Sequence, residues 1–233
     1  ASESMRSKLA EYNDPRLSRA FITKQGASGK EQAPGTADNA VYAPNGTPEQ
    51  GTSKYGTSLF MYSISAPTLL LSYHELKFLE AEALCRLERD AKSALKDAVV
   101  AGLLNAENSF TISRKELGKT LINAASSITE AEAESYFDNT IEAKYTAEPL
   151  KTTMIQKYFA LWGASGEATE SYNDVRRMKG LGENFIELKN PNSFPLRCPY
   201  GNSDTTTNAE VKAAYGNGQY VYSENVWWAG GSR

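Results

Sequence analysis

The sequence holds a single histidine, His74, with no serine or cysteine beside it in a nucleophile motif. A site held by paired histidines is therefore excluded within it, and no Ser-His-Asp or Cys-His arrangement is expected. His74 precedes an amphipathic stripe and reads as a surface or helix-start residue. Glu75, Glu80 and Glu82 could suggest the paired carboxylates of glycoside hydrolysis, which must stand ~5–9.5 Å apart across a sugar. Their spacing instead puts them on the polar side of one helix, as solvated charge. No Walker A sequence and no G-x-G-x-x-G occurs, and Gly216-Asn217-Gly218 is a turn signal only. Asn202, Asp204, Thr206, Asn208 and Glu210 set oxygen donors at alternate positions, as a calcium loop would. The glycine and bidentate glutamate of the calcium hand are missing, so this stretch reads as a polar loop leading into a helix, with no metal expected. The sharpest polar cluster is Asn173, Asp174, Arg176 and Arg177. One arginine could clamp a nearby carboxylate in bidentate fashion, or Asp174 across a turn. We read the cluster as structural, pinning the helix that begins at Met154 to the loops after it.

What positions these residues is an ordinary globular chain. It has 233 residues, 40% hydrophobic and 23% charged, with a net charge of −3 that offers nothing to nucleic acid or to an anionic membrane surface. Tyrosine is plentiful, at 13 residues. Such rings suit a loop-rich exported protein or a surface that stacks on sugars, and they also cap cores. No apolar run reaches the ~18 residues of a membrane span. The chain opens on Ala1-Ser2-Glu3, with Met5 inside and no leader pattern, as a processed or truncated product would. Cys85 and Cys198 lie outside any C-x-x-C pair. They could form one disulfide in an oxidising compartment, or Cys85 could be a buried helical thiol.

The pattern predicts helix, long loop, helical centre and long loop. Residues 3–12 form helical turns up to the break at Asn13-Asp14-Pro15-Arg16. Residues 24–66 are rich in Gly, Ser, Thr, Asn and Pro, with a possible short strand at 59–64. From Ser72 to Arg86, Leu76, Leu79 and Ala83 share a helix face, with Tyr73 and Leu87 near its ends. Asp90 can cap a second helix with a small-residue stripe of Ala91, Ala94, Leu95, Ala98 and Val99. Helix, tight turn and helix with small contacts is the geometry of a tetratricopeptide hairpin. Helices at 114–126 and 129–143 follow, the latter opening on a capping box at Thr129 and Glu132, and then the amphipathic helix from Met154. Residues 180–233 are loop-rich, with a short helix at 209–215. We expect a single domain: 1–23 the end of a helix, 24–66 loop, 67–179 helical core, 180–233 loop-rich.

Residues 154–179 carry Gln156, Lys157, Phe159, Ala160 and Trp162, a glycine break, then Tyr172-Asn173-Asp174-x-Arg176-Arg177. The block resembles the QKW-x-A-L-[FW]-G…EA-W-N-D-x-RR block of the SusD-like (RagB) family. Asn13-Asp14-Pro15-Arg16 is similar to the family's N-D-P-R segment, and residues 70–83, LLSYHELKFLEAEA, to its mSYaElkFieAEA helix, with His74 in place of a small residue. Phe194-Pro195-Leu196-Arg197-Cys198-Pro199-Tyr200 resembles its P-x-R-x-P-Y-P turn, with Gly201 where a proline is common, and Asn225-Val226-Trp227-Trp228 its closing element. The pieces stand in the family's order across about residues 11–228.

The resemblance implies an all-α fold of tetratricopeptide-like pairs, with long irregular loops and at most minor β structure. It implies a non-catalytic, cofactor-free lipoprotein on the outer face of the outer membrane, which binds oligo- or polysaccharide and delivers it to a TonB-dependent transporter. Family chains are about twice this long. A preceding part would carry the lipidated cysteine and the first helical pairs, and an incomplete array would expose an apolar face near its N-terminal helices and self-associate. Of the loop aromatics Tyr42, Tyr55, Tyr62, Tyr200, Tyr215, Tyr220, Tyr222, Trp227 and Trp228, the candidates for sugar contact are Trp227, Trp228, Tyr200, Tyr220 and Tyr222. The two tryptophans could equally plug the end of the helical stack, while Trp162 reads as core. The alternative function is a tetratricopeptide-type scaffold for a protein partner.

Overall fold

The computed structural model describes residues 2–25, 30–32, 42–45, 55–117, 126–189 and 193–231. The chain divides into two compact units, Ala1–Lys189 and Asn190–Arg233. The first is a helical core with one small sheet, as an all-α chain with minor β structure should be.

Its opening helix, α1 (Glu3–Glu11), buries Met5 and Leu9 and ends ahead of Pro15. Asp14 caps the 3-10 turn Pro15–Ser18 by accepting from the Arg16 amide. Then come β1 (Phe21–Gln25), β2 (Lys30–Gln32) and β3 (Thr57–Ser58), an antiparallel sheet of order β2-β1-β3. Residues 59–64, expected as strand, start instead with a 3-10 turn, Leu59–Tyr62. The Ser58 hydroxyl caps it by accepting from the Phe60 amide, and only Leu59 among its residues is fully buried.

The centre is built on α2 (Tyr73–Arg86), α3 (Lys92–Leu117) and α6 (Pro149–Leu161). Ser72 caps α2, its hydroxyl accepting from the Glu75 amide at 3.1 Å. The helix closes with Glu88 in the left-handed region (φ 55°) and the Arg89 amide donating back to the Leu84 carbonyl at 2.9 Å. Asp90 caps α3 as expected, accepting from the Lys92 amide at 3.0 Å, and it also accepts from the Tyr145 hydroxyl. The stripe Ala91, Ala94, Leu95, Ala98 and Val99 is buried. The helix expected to begin at Arg114 is the continuation of α3 up to Leu117; residues 118–125 lie outside those described.

The capping box of Thr129 and Glu132 opens α4 (Glu130–Tyr136). A π-turn at Phe137–Ile141 then leads without a break into α5 (Glu142–Ala147). Pro149 sits in the first turn of α6, where its missing amide costs nothing. Rather than amphipathic, α6 is buried on every side from Thr152 to Leu161 apart from Tyr158. A helix buried all round belongs inside its domain, and this one is the central layer. Trp162, half-buried at its end, packs on Phe21 and Phe60. After the 3-10 turn Ser165–Thr169 comes α7 (Glu170–Gly180).

The buried face of α2 is a correction. It is His74, Glu75, Phe78, Ala81 and Glu82 that turn inward, whereas Leu76 and Leu79 are exposed, together with Leu70, Leu71 and Tyr73. Both sets recur at helical spacing, so periodicity alone does not choose between them. The choice is made by the Phe78 ring, wholly buried where α2 meets α3 and α6. The exposed apolar row lies on α2 and the loop before it.

The second unit carries α8 (Asn202–Thr207) and α9 (Ala209–Tyr215). The donor-rich stretch 202–210, expected as a loop, is thus mostly helical. Its hydroxyls turn onto their own helix, Thr206 donating to the Asn202 carbonyl at 2.7 Å and Thr207 to that of Ser203. Asn208 caps α9 by accepting from the Glu210 and Val211 amides. A last 3-10 turn spans Trp227–Ala229.

A close helix contact sits at Gly102. A Cβ there would lie 2.9 Å from the Ala160 Cβ, so α3 and α6 approach because one of them lacks a side chain. We expect Gly102→Ala to destabilise the fold by about 1–3 kcal/mol through overpacking, although alanine is the better helix former. Adding Ala160→Gly should restore part of the loss, and chemical denaturation of the single and double variants measures the coupling.

Candidate binding surfaces

Two groups of residues invite a function, one in each unit. In the first unit they form a polar knot at the junction of α2, α6 and α7, its carboxylates Glu82 and Asp174 and its lysine Lys157 buried and its arginines Arg86 and Arg177 at the surface. Glu82 on α2 receives Arg86 Nε at 2.7 Å and both terminal nitrogens of Arg177, the second at 2.8 Å. Burial works against ionising Glu82, but the two guanidiniums outweigh it and hold its carboxyl below the usual range. Arg177 also donates to Asp174 at 2.8 Å, and Asp174 pairs with Lys157 of α6 at 2.8 Å. The tail of Glu183 clamps Arg86 with both oxygens, at 2.8 and 3.0 Å.

Asp174 and Arg177 therefore join one network. Asn173 and Arg176 point elsewhere: Asn173 donates to Glu170, and Arg176 lies over the Tyr172 ring 5.7 Å from its centroid. Lys157, a lysine 2% exposed inside an apolar helix, is the member the sequence reading passed over. Its signal was legible, because a charge in the middle of a buried run requires a partner.

Beside the knot lies an acidic pocket of protein. His74 is buried, not a surface residue, with Nε2 3.5 Å from Oε2 of Glu167. Burial lowers its pKa against the pull of Glu167, which keeps it neutral. Glu75 and Glu82, expected as solvated charge, are buried as well; only Glu80 remains exposed, paired with Lys77 at 3.0 Å. Glu167 also accepts from the Ser72 amide, so the turn after α6 holds the start of α2. Burial, and then the hydrogen bond and charge of Glu167, push the Glu75 carboxyl up to about 7.

In the second unit the aromatic candidates separate by exposure. Trp227 and Trp228 are 72% and 67% exposed and stand edge to face, with centroids 5.6 Å apart at 87°. Tyr222 is exposed too. Tyr200 stacks on Tyr215 at 4.4 Å, and the Arg197 guanidinium lies 4.7 Å from the Tyr200 ring centroid. The Tyr200 amide donates to the Gly218 carbonyl, and Gly218 adopts φ 71° with no room for a Cβ against Tyr200 and Thr205. That glycine lets the chain fold over the tyrosine pair. Tyr220 is half-buried, its hydroxyl near Gly216. Cys85 and Cys198 are both free thiols. Among the described residues no cluster of His, Cys, Asp and Glu could hold a metal ion, and no helix is long and apolar enough to cross a membrane.

Comparison with known proteins fixes the lineage. The SusD-like family model, described as starch-binding and associating with the outer membrane, matches residues 1–200. The chain belongs to the SusD-like family. A crystal structure of a SusD/RagB family protein from Bacteroides thetaiotaomicron is 65% identical, covering 99% of this chain with a TM-score of 0.87. The same fold, at 21% identity and TM-score 0.63 over 96% of the chain, occurs in a proposed outer-membrane protein of Bacteroides vulgatus implicated in nutrient binding. It occurs again in a SusD homolog of Bacteroides fragilis, at 18% identity and TM-score 0.59 over 93%. This SusD-like chain spans about half the length of these solved proteins, 50%, 50% and 49% in turn. No curated protein matches it.

Because the fold favours the protonated form of Glu75, its contribution to stability is whole below the ordinary carboxylate pKa and declines as pH rises through about 7. Glu167 and Glu170 add to the penalty of ionisation and Lys157 relieves it. We expect Glu75→Gln to match the native protein at pH 5 and to exceed it in stability by on the order of 1–2 kcal/mol at pH 8.5. Denaturant unfolding at the two pH values measures the difference.

Proposed function

We propose that this chain is the non-catalytic glycan-binding part of a cell-surface protein that passes oligo- or polysaccharide to a TonB-dependent transporter in the outer membrane. The observation that carries the reading is the 65% identity to a SusD/RagB family protein along 99% of the chain. Sugar contact is assigned to the second unit, at Trp227, Trp228 and Tyr222, with Tyr200 and Tyr220 as further candidates. An exposed indole offers a flat apolar face to the C–H groups of a pyranose, and water competes poorly for it. Hydrogen bonds to sugar hydroxyls add little each, so several such faces must act together.

A binding role without cleavage is supported by what the acids do. Glu82 and Asp174 are spent on Arg177 and Lys157, and Glu75 is buried in the fold, which leaves these carboxylates to the structure. The asparagine and arginines of the 173–177 cluster are read as structural for the same reason.

A second reading, a scaffold for a protein partner, is favoured by the exposed row of Leu70, Leu71, Tyr73, Leu76 and Leu79. Contiguous apolar surface of this kind marks docking sites. The two readings are compatible, one using the helices and the other the loops.

Affinity electrophoresis separates them. We expect at least one neutral polysaccharide in the gel to retard the native chain, and Trp227→Ala/Trp228→Ala to weaken that binding about tenfold, or ~1.4 kcal/mol. Both tryptophans are exposed, so the variant should keep its melting temperature. Unretarded migration in every gel of a broad panel would leave the scaffold reading alone.

A further inference from the structure

We propose that the first unit holds a separate pocket for a neutral sugar, bounded by the 3-10 turn Leu59–Tyr62, the loop that follows it, α3 and the turn after α6. This rests on the reading of the chain as a glycan binder and places a site that the exposed tryptophans do not include. The cavity measures about 360 Å³. That is at the low end of the ~300–1,000 Å³ usual for small-molecule sites, with room for roughly one or two sugar units.

Its lining sets it apart. In a chain that is 23% charged, none of the described residues around this cavity is Asp, Glu, Lys, Arg or His. Polar groups are nonetheless abundant. Asn105 and Asn108 stand one turn apart on α3 and so share a face, and Ser109, Thr68 and Ser165 also line the cavity. The side chains of these residues make no hydrogen bond to any described residue, so their donors and acceptors remain available. Ser109 is only 6% exposed, which places one of these hydroxyls deep in the site.

Phe60 supplies an aromatic wall of fixed position. Its ring packs on Phe110 at 4.8 Å and edge-on to Trp162 at 5.0 Å, and it lies so close to Gly163 that a Cβ there would fall 2.3 Å from it. The loop opposite is also held. Glu116 accepts from the Ile64 and Ser65 amides at 2.8 Å each, and Glu167 accepts from the Ser72 amide. Walls tied down before the ligand arrives lower the ordering cost of binding.

Amides, hydroxyls and one apolar face are the complement of a pyranose with hydroxyl substituents. A uronic acid, sulfate or phosphate would enter without a cation to meet it, and burying an unpaired charge is prohibitive. The ligand class is therefore a neutral glycan, and acidic polysaccharides are excluded from this pocket.

The test titrates the whole chain calorimetrically with maltoheptaose, xyloheptaose, mannoheptaose and an oligogalacturonate. Hydrogen–deuterium exchange is then recorded with and without the tightest neutral probe. We expect Asn105→Ala/Asn108→Ala, substitutions at half-buried and exposed helix positions, to keep the native melting temperature and to weaken that probe at least tenfold. Residues 60–69 and 163–168 should gain protection from exchange in the native protein. Native-like affinity in the variant with no protection of these segments overturns the pocket and leaves the glycan-binding reading standing. Tighter binding of the oligogalacturonate with protection here overturns the neutral-ligand assignment. Failure of the native chain to bind any probe overturns both readings. Should the variant unfold, the exchange map of the native protein decides alone.

Discussion

A buried charge calls for a partner, and among the described residues several buried charges bring a second segment with them. Arg19, 1% exposed, binds Glu107 of α3, with Nε 2.6 Å from one carboxylate oxygen. The same carboxylate accepts from the Ile128 amide, so one acid fastens both the turn before β1 and the approach to α4. Asp14 does likewise for the opening of the chain. It holds Arg16 by both oxygens, at 2.8 and 2.6 Å, and accepts from the Tyr136 hydroxyl of α4. Lys157 carries α7 to the central helix through Asp174, and Glu82 binds α7 to α2 through Arg177. Replacing such pairs by well-packed apolar residues often costs little, whereas removing one partner leaves the other stranded. Their value here is geometric: the irregular stretches between helices have few apolar side chains of their own, and the charges give them fixed points on the core.

The apolar core does the complementary work. Its centre is the meeting of α2, α3 and α6, where Phe78, Leu95 and Phe159 are wholly buried and Gly102 lets two backbones close up. Against that centre α1 lays Leu9, and Tyr12 meets Phe159 edge to face at 5.4 Å. The helices therefore form the frame of the first unit, and the two surfaces proposed for a ligand are each built in part from turns and loops. One is the cavity walled by the turn after β3 and the turn after α6; the other is the set of exposed rings in the C-terminal unit.

Much of this frame could be read in advance because its signals are local. Asp90, Thr129 with Glu132, and Pro149 each mark a helix start through a bond, or a missing amide, within a few residues. The alanine stripe of α3 was equally plain, since small residues at helical spacing have no other use inside a helix pair. What local pattern could not give was the partner across the fold. His74 and Glu75 looked exposed because the residue that buries them, Glu167, lies more than ninety positions along the chain. Leu76 and Leu79 looked buried because their spacing is as regular as that of Phe78 and Ala81. Residues 202–210 looked like a loop because Thr, Asn and Ser favour turns, yet their hydroxyls bond to the helix carbonyls and stay in place.

The same distinction explains why a binding site is harder to read here than a fold. A catalytic centre or a metal site needs particular residue types at close quarters, and a sequence can be searched for them. Recognition of a neutral glycan needs flat rings and uncommitted amides and hydroxyls, which are common residues set at uncommon places. Asn105 and Asn108 are unremarkable in α3 until Phe60 and Ser165 are seen around the same cavity, and Trp227 and Trp228, candidates already in the sequence, are set apart from Tyr200 and Tyr220 by the exposure of both rings. In such a protein the informative property of a polar residue is whether its hydrogen bonds are already spent. The carboxylates of the knot are spent on guanidiniums and on lysine, and they hold the fold. The asparagines of α3 are not, and their capacity is left for a ligand.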